Sequence, residues 1–168
     1  MNNLSIALVI TLIYSSHCFG QTAEDYFLKG VDKGKKEDYR GAVADYTKAI
    51  EINPKYAMAY NNRAFIEIFR GNYANAIEDF SMAIELDPTN YNYYIARGSC
   101  REQTKALNGA LGDFTKAIEL KPNLHNAYQK RGILKILMGQ LDSGCADLSM
   151  AGELGSESVY DWIKEYCN

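Results

Sequence analysis

The sequence predicts an all-α protein, an α-solenoid of four helix-turn-helix units closed by a short capping helix. Three observations carry this prediction. Proline recurs every 34 residues, at Pro54, Pro88 and Pro122. Aromatic and small residues recur with the same spacing, and two apolar stripes with helical periodicity lie between consecutive prolines. A chain of 168 residues that is 47% hydrophobic is long enough to bury such a core.

The residues from 57 to 90 show how one unit is built. Tyr60, Ala64 and Ile68 recur every four residues, so they share one face of a first helix. Gly71 begins a turn, and a second apolar stripe follows it. Pro88 ends the second helix, because proline lacks an N–H donor and disfavours helical geometry in the residue before it.

The same columns recur in every unit, and they define its register. The columns hold an aromatic residue (Tyr26, Tyr60, Tyr94, Tyr128), a small residue (Gly30, Ala64, Gly98, Gly132) and a second small residue (Ala42, Ala76, Ala110, Gly144). Four positions after the last column comes a large apolar residue, Tyr46, Phe80, Phe114 or Leu148.

This register resembles the tetratricopeptide repeat (TPR) family, whose pattern of aromatic, small residue, alanine, aromatic and closing proline it follows. The resemblance covers nearly all of residues 23–168. It divides them into units at 23–56, 57–90, 91–124 and 125–158, the last degenerate, and a capping helix at 159–168. Ser158 and Asp161 have the spacing of a capping pair for that helix. The ending GQLDSGCADL…IKEYC resembles exported bacterial members of the family.

The amino end, residues 1–20, is predicted to be a cleaved signal peptide. No charged side chain occurs before Glu24, and Leu4 to Tyr14 is an apolar run too short to span a membrane. Small residues at Cys18 and Gly20 suit cleavage after Gly20. We therefore expect an exported protein, periplasmic or secreted, without a membrane span after cleavage. A lipid anchor through Cys18, an uncleaved anchor and a cytoplasmic chain remain alternatives.

Composition and charge argue against several function classes. The net charge is −3 without a basic block, so no nucleic-acid partner is expected. Two histidines and no CxxC motif give no metal site and no cofactor site, and no catalytic triad or phosphate loop is visible, so the protein is not expected to be an enzyme. Cations and acids 16 residues apart predict a structural ladder of ion pairs: Lys29–Asp45, Arg63–Asp79, Arg97–Asp113 and Arg131–Asp147.

The resemblance to the TPR family implies that the first helices line a concave groove. The family's groove positions correspond here to apolar and amide side chains, which suit an extended peptide. The predicted peptide-binding residues are Asn61, Asn62, Phe65, Phe69, Asn92, Ser99, Asn126, Gln129 and Ile133. The predicted function is therefore binding of a protein or peptide partner. A small molecule or a glycan in the same groove is the alternative.

The carboxylate clamp with which some TPR proteins hold chaperone tails is not expected here. The positions that correspond to the clamp hold Phe27, Val31, Asn62, Asn92 and Ala96, and only Asn62 fits.

Cleavage of the leader would leave three cysteines, Cys100, Cys145 and Cys167, which allow at most one internal disulfide. Cys145 and Cys167 lie eleven residues on either side of the turn at Ser156. Antiparallel helices would bring them to the same height. A Cys145–Cys167 disulfide is thus one hypothesis, and two buried free thiols are the other.

Overall fold

The computed structural model describes residues 21–167, which divide after Pro54 into two compact units. The predicted leader, residues 1–20, lies outside the described residues. Helices account for all the regular structure between residues 21 and 167, so the all-α class is confirmed.

The first unit is a pair of helices, α1 (Ala23–Lys35) and α2 (Tyr39–Ile52). Thr22 and Asp25 form a capping box at the start of α1, where the Thr22 hydroxyl accepts from the Asp25 backbone N–H. The rings of Phe27 and Tyr46 pack against each other with centroids 5.7 Å apart.

The second unit contains three further helix pairs and the terminal helix. The pairs are α3 (Ala57–Phe69) with α4 (Tyr73–Leu86), α5 (Tyr91–Gln103) with α6 (Leu107–Leu120), and α7 (His125–Leu137) with α8 (Leu141–Glu153). A 3₁₀ turn (Glu157–Val159) leads into α9 (Tyr160–Tyr166). We call the pairs α3–α4, α5–α6 and α7–α8 the second, third and fourth repeats.

Core clusters in this unit join neighbouring repeats. Ala64, Ala76 and Phe80 of the second repeat pack with Cys100 of the third, all of them at most 1% exposed. Phe114 of the third repeat packs with Leu134 of the fourth. Each repeat thus completes the apolar face of its neighbour, as expected for stacked repeats.

Gly132 and Gly144 of the fourth repeat lie where the backbones of α7 and α8 are in close contact. A Cβ atom on Gly144 would lie 2.8 Å from the carbonyl oxygen of Gly132, and a Cβ on Gly132 would lie 2.9 Å from the carbonyl oxygen of Gly144. This contact explains why glycine replaces the alanine of the other repeats at position 144.

The predicted ladder of ion pairs is present in the second unit. In each repeat an arginine of the first helix forms two parallel hydrogen bonds to a buried aspartate of the second helix. The three pairs are Arg63–Asp79, Arg97–Asp113 and Arg131–Asp147, with Nη2–Oδ1 distances of 2.7 Å.

In the first unit the prediction of a Lys29–Asp45 pair is wrong. Asp45 pairs instead with Lys33, one helical turn later, at 2.7 Å, and this hydrogen bond raises the pKa of the Lys33 ammonium. Lys29 lies over the Tyr26 ring, 5.3 Å from its centroid. The sequence pattern of cations and acids did not reveal a second position, four residues after the first cation. It holds Lys33, Arg101 and Lys135, and each of them pairs with the aspartate of its own repeat. We call this position the column of second cations.

The arginines also connect adjacent repeats. Arg97 donates from Nη1 to the Ser81 hydroxyl at 3.0 Å, and Arg131 donates to the Thr115 hydroxyl at 3.2 Å. Arg97 and Arg131 therefore each bind an acid of their own repeat and a hydroxyl of the repeat before it, so these two arginines stabilise the stacking.

The end of the chain covers the fourth repeat. Leu148, Ala151 and Val159 are fully buried, with Trp162 and Ile163 packed against them. The predicted Ser158–Asp161 capping pair is not formed: α9 begins at Tyr160 without a side-chain cap. Ser158 instead bonds to Gln129 of α7, as does the buried Ser156.

A disulfide links Cys145 of α8 to Cys167, the residue that follows α9. It closes a separation of 22 residues. The bridge therefore fixes the far end of α9, a seven-residue helix with no buried residue, to the last repeat.

Candidate functional site

The first helices α3, α5 and α7 line a groove of about 530 Å³ in the second unit. We call this the first segment of the groove. It is lined by Asn61, Phe65, Ile68, Asn92, Ile95, Ala96, Ser99 and Asn126.

Polar side chains of the first segment differ in what they can still offer a ligand. The Ser99 hydroxyl donates to the Ile95 carbonyl at 3.0 Å, so its remaining capacity is as an acceptor. The Asn61 amide donates to the side-chain oxygen of Asn62 at 3.0 Å. Asn92 and Asn126 are exposed, and a carboxamide can both donate to and accept from a peptide backbone.

The apolar part of the first segment is fixed by packing. The Phe65 ring is 44% exposed, and its centroid lies 5.4 Å from that of the buried Phe80 in an edge-on contact. Ile68 and Ala96 lie over the core cluster that contains Cys100. The segment therefore offers a preformed apolar surface with carboxamides around it.

A second segment of about 250 Å³ continues the groove along α5 and α7. Asn126 belongs to both segments. The second segment is lined by Glu102, Asn126, Gln129, Lys130 and Ile133. Gln129 donates to the Ser158 hydroxyl at 3.0 Å and accepts from the Ser156 hydroxyl at 3.1 Å, so its amide mainly connects the groove to the terminal cap.

The structure places seven of the nine predicted binding residues in these two segments and leaves out Asn62 and Phe69. Asn62, Ala96 and Lys130 stand at the same position of consecutive repeats. Ala96 and Lys130 each line the groove segment that their helix forms with the first helix of the preceding repeat. The same position on α3 therefore points away from α5. Phe69 ends α3 and is 71% exposed.

Five lining residues were not among the predicted set. They are Ile68, Ile95, Ala96, Glu102 and Lys130. The repeat register already places all five at groove or clamp positions of the family, but a selection by side-chain type, which favoured amides and aromatics, left them out of the predicted set.

Reactive chemistry has little support near the groove. Cys100 is 1% exposed, and burial raises the pKa of its thiol to about 11. A thiol in this state is neutral near pH 7 and is a poor nucleophile. Among residues 21–167, no group of three or more His, Cys, Asp or Glu is placed to hold a metal ion. Within the same range, no helix combines the length and apolar character needed to cross a membrane.

Comparison with known families agrees with the repeat register. Residues 57–90 match the model "Tetratricopeptide repeat", and residues 35–66 match a second model, "TPR repeat". This chain is a tetratricopeptide-repeat protein. Over 50 residues it is 42% identical to the tetratricopeptide repeat protein 36 homolog of Nematostella vectensis, a match that covers 30% of this TPR chain and 28% of that protein.

Solved structures confirm the predicted solenoid class. The crystal structure of MamA protein has a TM-score of 0.77 at 24% identity, over 81% of this TPR chain and 74% of that chain. This similarity shows the fold alone. The first TPR of Spaghetti (RPAP3), bound to the HSP90 peptide SRMEEVD, has a TM-score of 0.67 at 26% identity, over 73% of this chain and 98% of that one.

Proposed function

We propose that this protein is an interaction module that holds an extended peptide segment of a partner protein in the groove of α3, α5 and α7. One observation carries the proposal. The first segment of the groove combines a fixed apolar surface, formed by Phe65, Ile68 and Ile95, with exposed carboxamides at Asn92 and Asn126. Extended peptides are bound through such a division of labour, with main-chain hydrogen bonds for affinity and side-chain pockets for specificity.

The similarity to the peptide-bound TPR of Spaghetti supports this mode of binding. The chemistry of the partner should differ, because the clamp positions hold Phe27, Val31, Asn92 and Ala96 in place of the cations and amides that grip a chaperone tail. We therefore propose a partner segment without an acidic carboxyl-terminal tail. The protein acts by binding and not by catalysis.

The test begins with a partner segment isolated on the purified protein, whose binding is then measured by calorimetry with variants. Asn92→Ala removes a carboxamide that pairs with the ligand backbone, at a cost of about 1–3 kcal/mol, or roughly tenfold in affinity. Phe65→Ala removes the apolar wall and should weaken binding by a similar factor.

Met82→Ala is the matched control, because Met82 is 37% exposed on the second helix α4 and lines neither segment. It should bind at wild-type strength. Wild-type binding by both groove variants, with loss in Met82→Ala, would place the ligand on the opposite face and refute the proposal.

We also propose that the protein works outside the cytoplasm, after cleavage behind Gly20. The uncharged leader and the Cys145–Cys167 disulfide support this, because disulfides persist mainly in oxidising compartments. Intact-mass measurement and non-reducing peptide mapping of the protein from its native cell provide the test. A cytosolic protein that retains residues 1–20, with both cysteines open to alkylation, would contradict the proposal.

Binding of a glycan or small molecule is the second candidate, and the exposed ring of Phe65 is the observation that favours it. Aromatic faces stack on apolar ligand faces. A glycan array probed with wild type and Phe65→Ala separates the two functions. Glycan binding that disappears in the variant, with no peptide binding, would favour this candidate.

A further inference from the structure

The two segments of the groove use the same repeat positions but differ in character. Ile68 on α3 and Glu102 on α5 are 34 residues apart and stand at the same place in consecutive first helices. Ile68 lines the first segment and Glu102 lines the second. The fourth repeat has isoleucine there again, at Ile136. The groove thus changes from an apolar wall to an anionic one, at a position that is apolar in both neighbouring repeats.

The carboxylate of Glu102 has no ion-pair partner within 4 Å among the described residues. Glu102 is half-buried, and beside it in the second segment lie the neutral amides of Asn126 and Gln129. The segment also contains Lys130, whose ammonium lies over the Phe114 ring, 6.0 Å from its centroid, in a cation–π contact. This contact leaves the positive charge of Lys130 in place, so Glu102, which has no ion-pair partner in the described part of the chain, is the group of the segment that can bind a cation.

The position of Glu102 in its helix adds to this potential. Glu102 is the second-last residue of α5, which ends at Gln103. The carboxyl end of a helix carries a partial negative charge, so an acid there is unfavourable for the fold. The helix end and the carboxylate both attract a cation into the second segment.

We propose that Glu102 selects partner segments that carry a lysine or arginine side chain beside a bulky apolar residue. The apolar residue fills the first segment against Phe65 and Ile68. The cationic group enters the second segment and forms a charge-assisted hydrogen bond with the Glu102 carboxylate. This inference rests on the proposed peptide binding and adds the chemical class of the ligand.

The experiment uses a library of short linear peptides with blocked ends, selected on the purified wild-type protein. We expect sequences with a bulky apolar residue and a lysine or arginine at a fixed offset. A selected lysine peptide should bind Glu102→Gln at least about tenfold more weakly. Its affinity for wild type should fall with added salt, and this dependence should be smaller in the variant.

Glu85→Gln is the control for net charge, because Glu85 is exposed on α4 and lines neither segment. It should keep the wild-type affinity. Melting curves of all three proteins verify the fold, and Glu102→Ile, which restores the residue type of Ile68, should keep the apolar preference and lose the basic one.

The outcomes distinguish the role of Glu102 from peptide binding by the groove. Selection of apolar peptides with no basic preference, or equal binding by wild type and Glu102→Gln, would overturn the role of Glu102 while peptide binding stands. Enrichment of acidic peptides that Lys130→Met abolishes would assign the selectivity to Lys130 and overturn it too. A library that yields no groove-dependent peptide would refute peptide binding itself.

Discussion

The second and third repeats share a backbone plan, and the charges at two adjacent positions of their first helices, 67–68 and 101–102, set them apart. In the third repeat Asp113 accepts from two arginines, Arg97 at 2.7 Å and Arg101 at 2.8 Å. In the second repeat Asp79 has Arg63, and the place of Arg101 is taken by an acid, Glu67. One residue later, isoleucine in the groove becomes glutamate. Adjacent residues thus serve two surfaces, since one faces the ladder and the next faces the groove.

Glu67 shows how an acid is accommodated in the column of second cations. It is 4% exposed, and its two carboxylate oxygens accept from Arg70 at 2.8 Å and from Asn72 at 2.6 Å. Burial raises the pKa of Asp79, the Arg63 guanidinium opposes this, and Glu67 adds to the rise. The ladder is therefore electrostatically weaker in the second repeat than in the third.

The largest expected effect comes from removing the same arginine in each repeat. Arg63→Met removes the guanidinium that pairs with Asp79 while the negative Glu67 stays nearby, so we expect a loss of about 3–5 kcal/mol in the free energy of unfolding. Arg97→Met leaves Asp113 paired with Arg101, so we expect about 1–3 kcal/mol. Chemical denaturation measures both. Equal losses would show that the second cation does not support the ladder.

A smaller effect is expected at the turns. Lys105 ends the first turn of the third repeat with a positive φ of 63°, where the second repeat has Gly71 at 75°. Lysine in this conformation is strained by about 1–2 kcal/mol, and glycine would relieve that strain. Glycine also makes the unfolded chain more flexible, which offsets part of the gain in stability. Lys105→Gly should stabilise the protein by roughly 0.5–1 kcal/mol. The reverse change, Gly71→Lys, should destabilise it by a similar amount, and a stabilising Gly71→Lys would contradict the account.

The smallest effect concerns the titration of Asp79. The folded-state pKa of Asp79 lies above its ordinary value of 3.8. The stability that Asp79 contributes is therefore fully present below pH 3.8 and is lost as the pH rises through the folded-state pKa. Glu67→Gln removes one cause of the rise, so the pKa of Asp79 should move down and this pH window should narrow. Carbon-13 NMR of the Asp79 carboxyl measures the shift.

Glu119→Gln, a change on the exposed face of α6, is the control for that titration. It should leave the Asp79 titration where it is in wild type. An Asp79 pKa that is equal in wild type and Glu67→Gln would show that Glu67 is too well paired with Arg70 and Asn72 to act on it.

Much of the fold could be predicted because the residues that form each contact recur in several repeats. The spacing of Arg63, Arg97 and Arg131 from their aspartates was visible in the sequence and is confirmed. Lys29 was assigned by the same spacing, but a lysine lacks the forked donors of arginine, and Asp45 is reached instead by Lys33. Sequence spacing predicts where a side chain lies along its helix. The length and the donor geometry of that side chain decide which acid it pairs with.

The residues that line the groove were harder to predict, because lining depends on the direction in which each side chain points from its helix. Asn61 and Asn62 are neighbours with the same chemistry, yet only Asn61 lines the first segment. Gln129 looks like a ligand residue in sequence, but the hydroxyls of Ser156 and Ser158 engage its amide. These bonds depend on a terminal turn whose path the sequence pattern did not predict.

The most direct test of groove binding follows the side-chain amide signals of asparagines by nitrogen-15 NMR while a partner segment is added. The account predicts that the signals of Asn92 and Asn126 shift, since both line the groove. Those of Asn75 on α4 and Asn108 on α6 should not move, because these exposed residues of the second helices line neither segment. Shifts at Asn75 and Asn108, with Asn92 and Asn126 unchanged, would contradict the central claim.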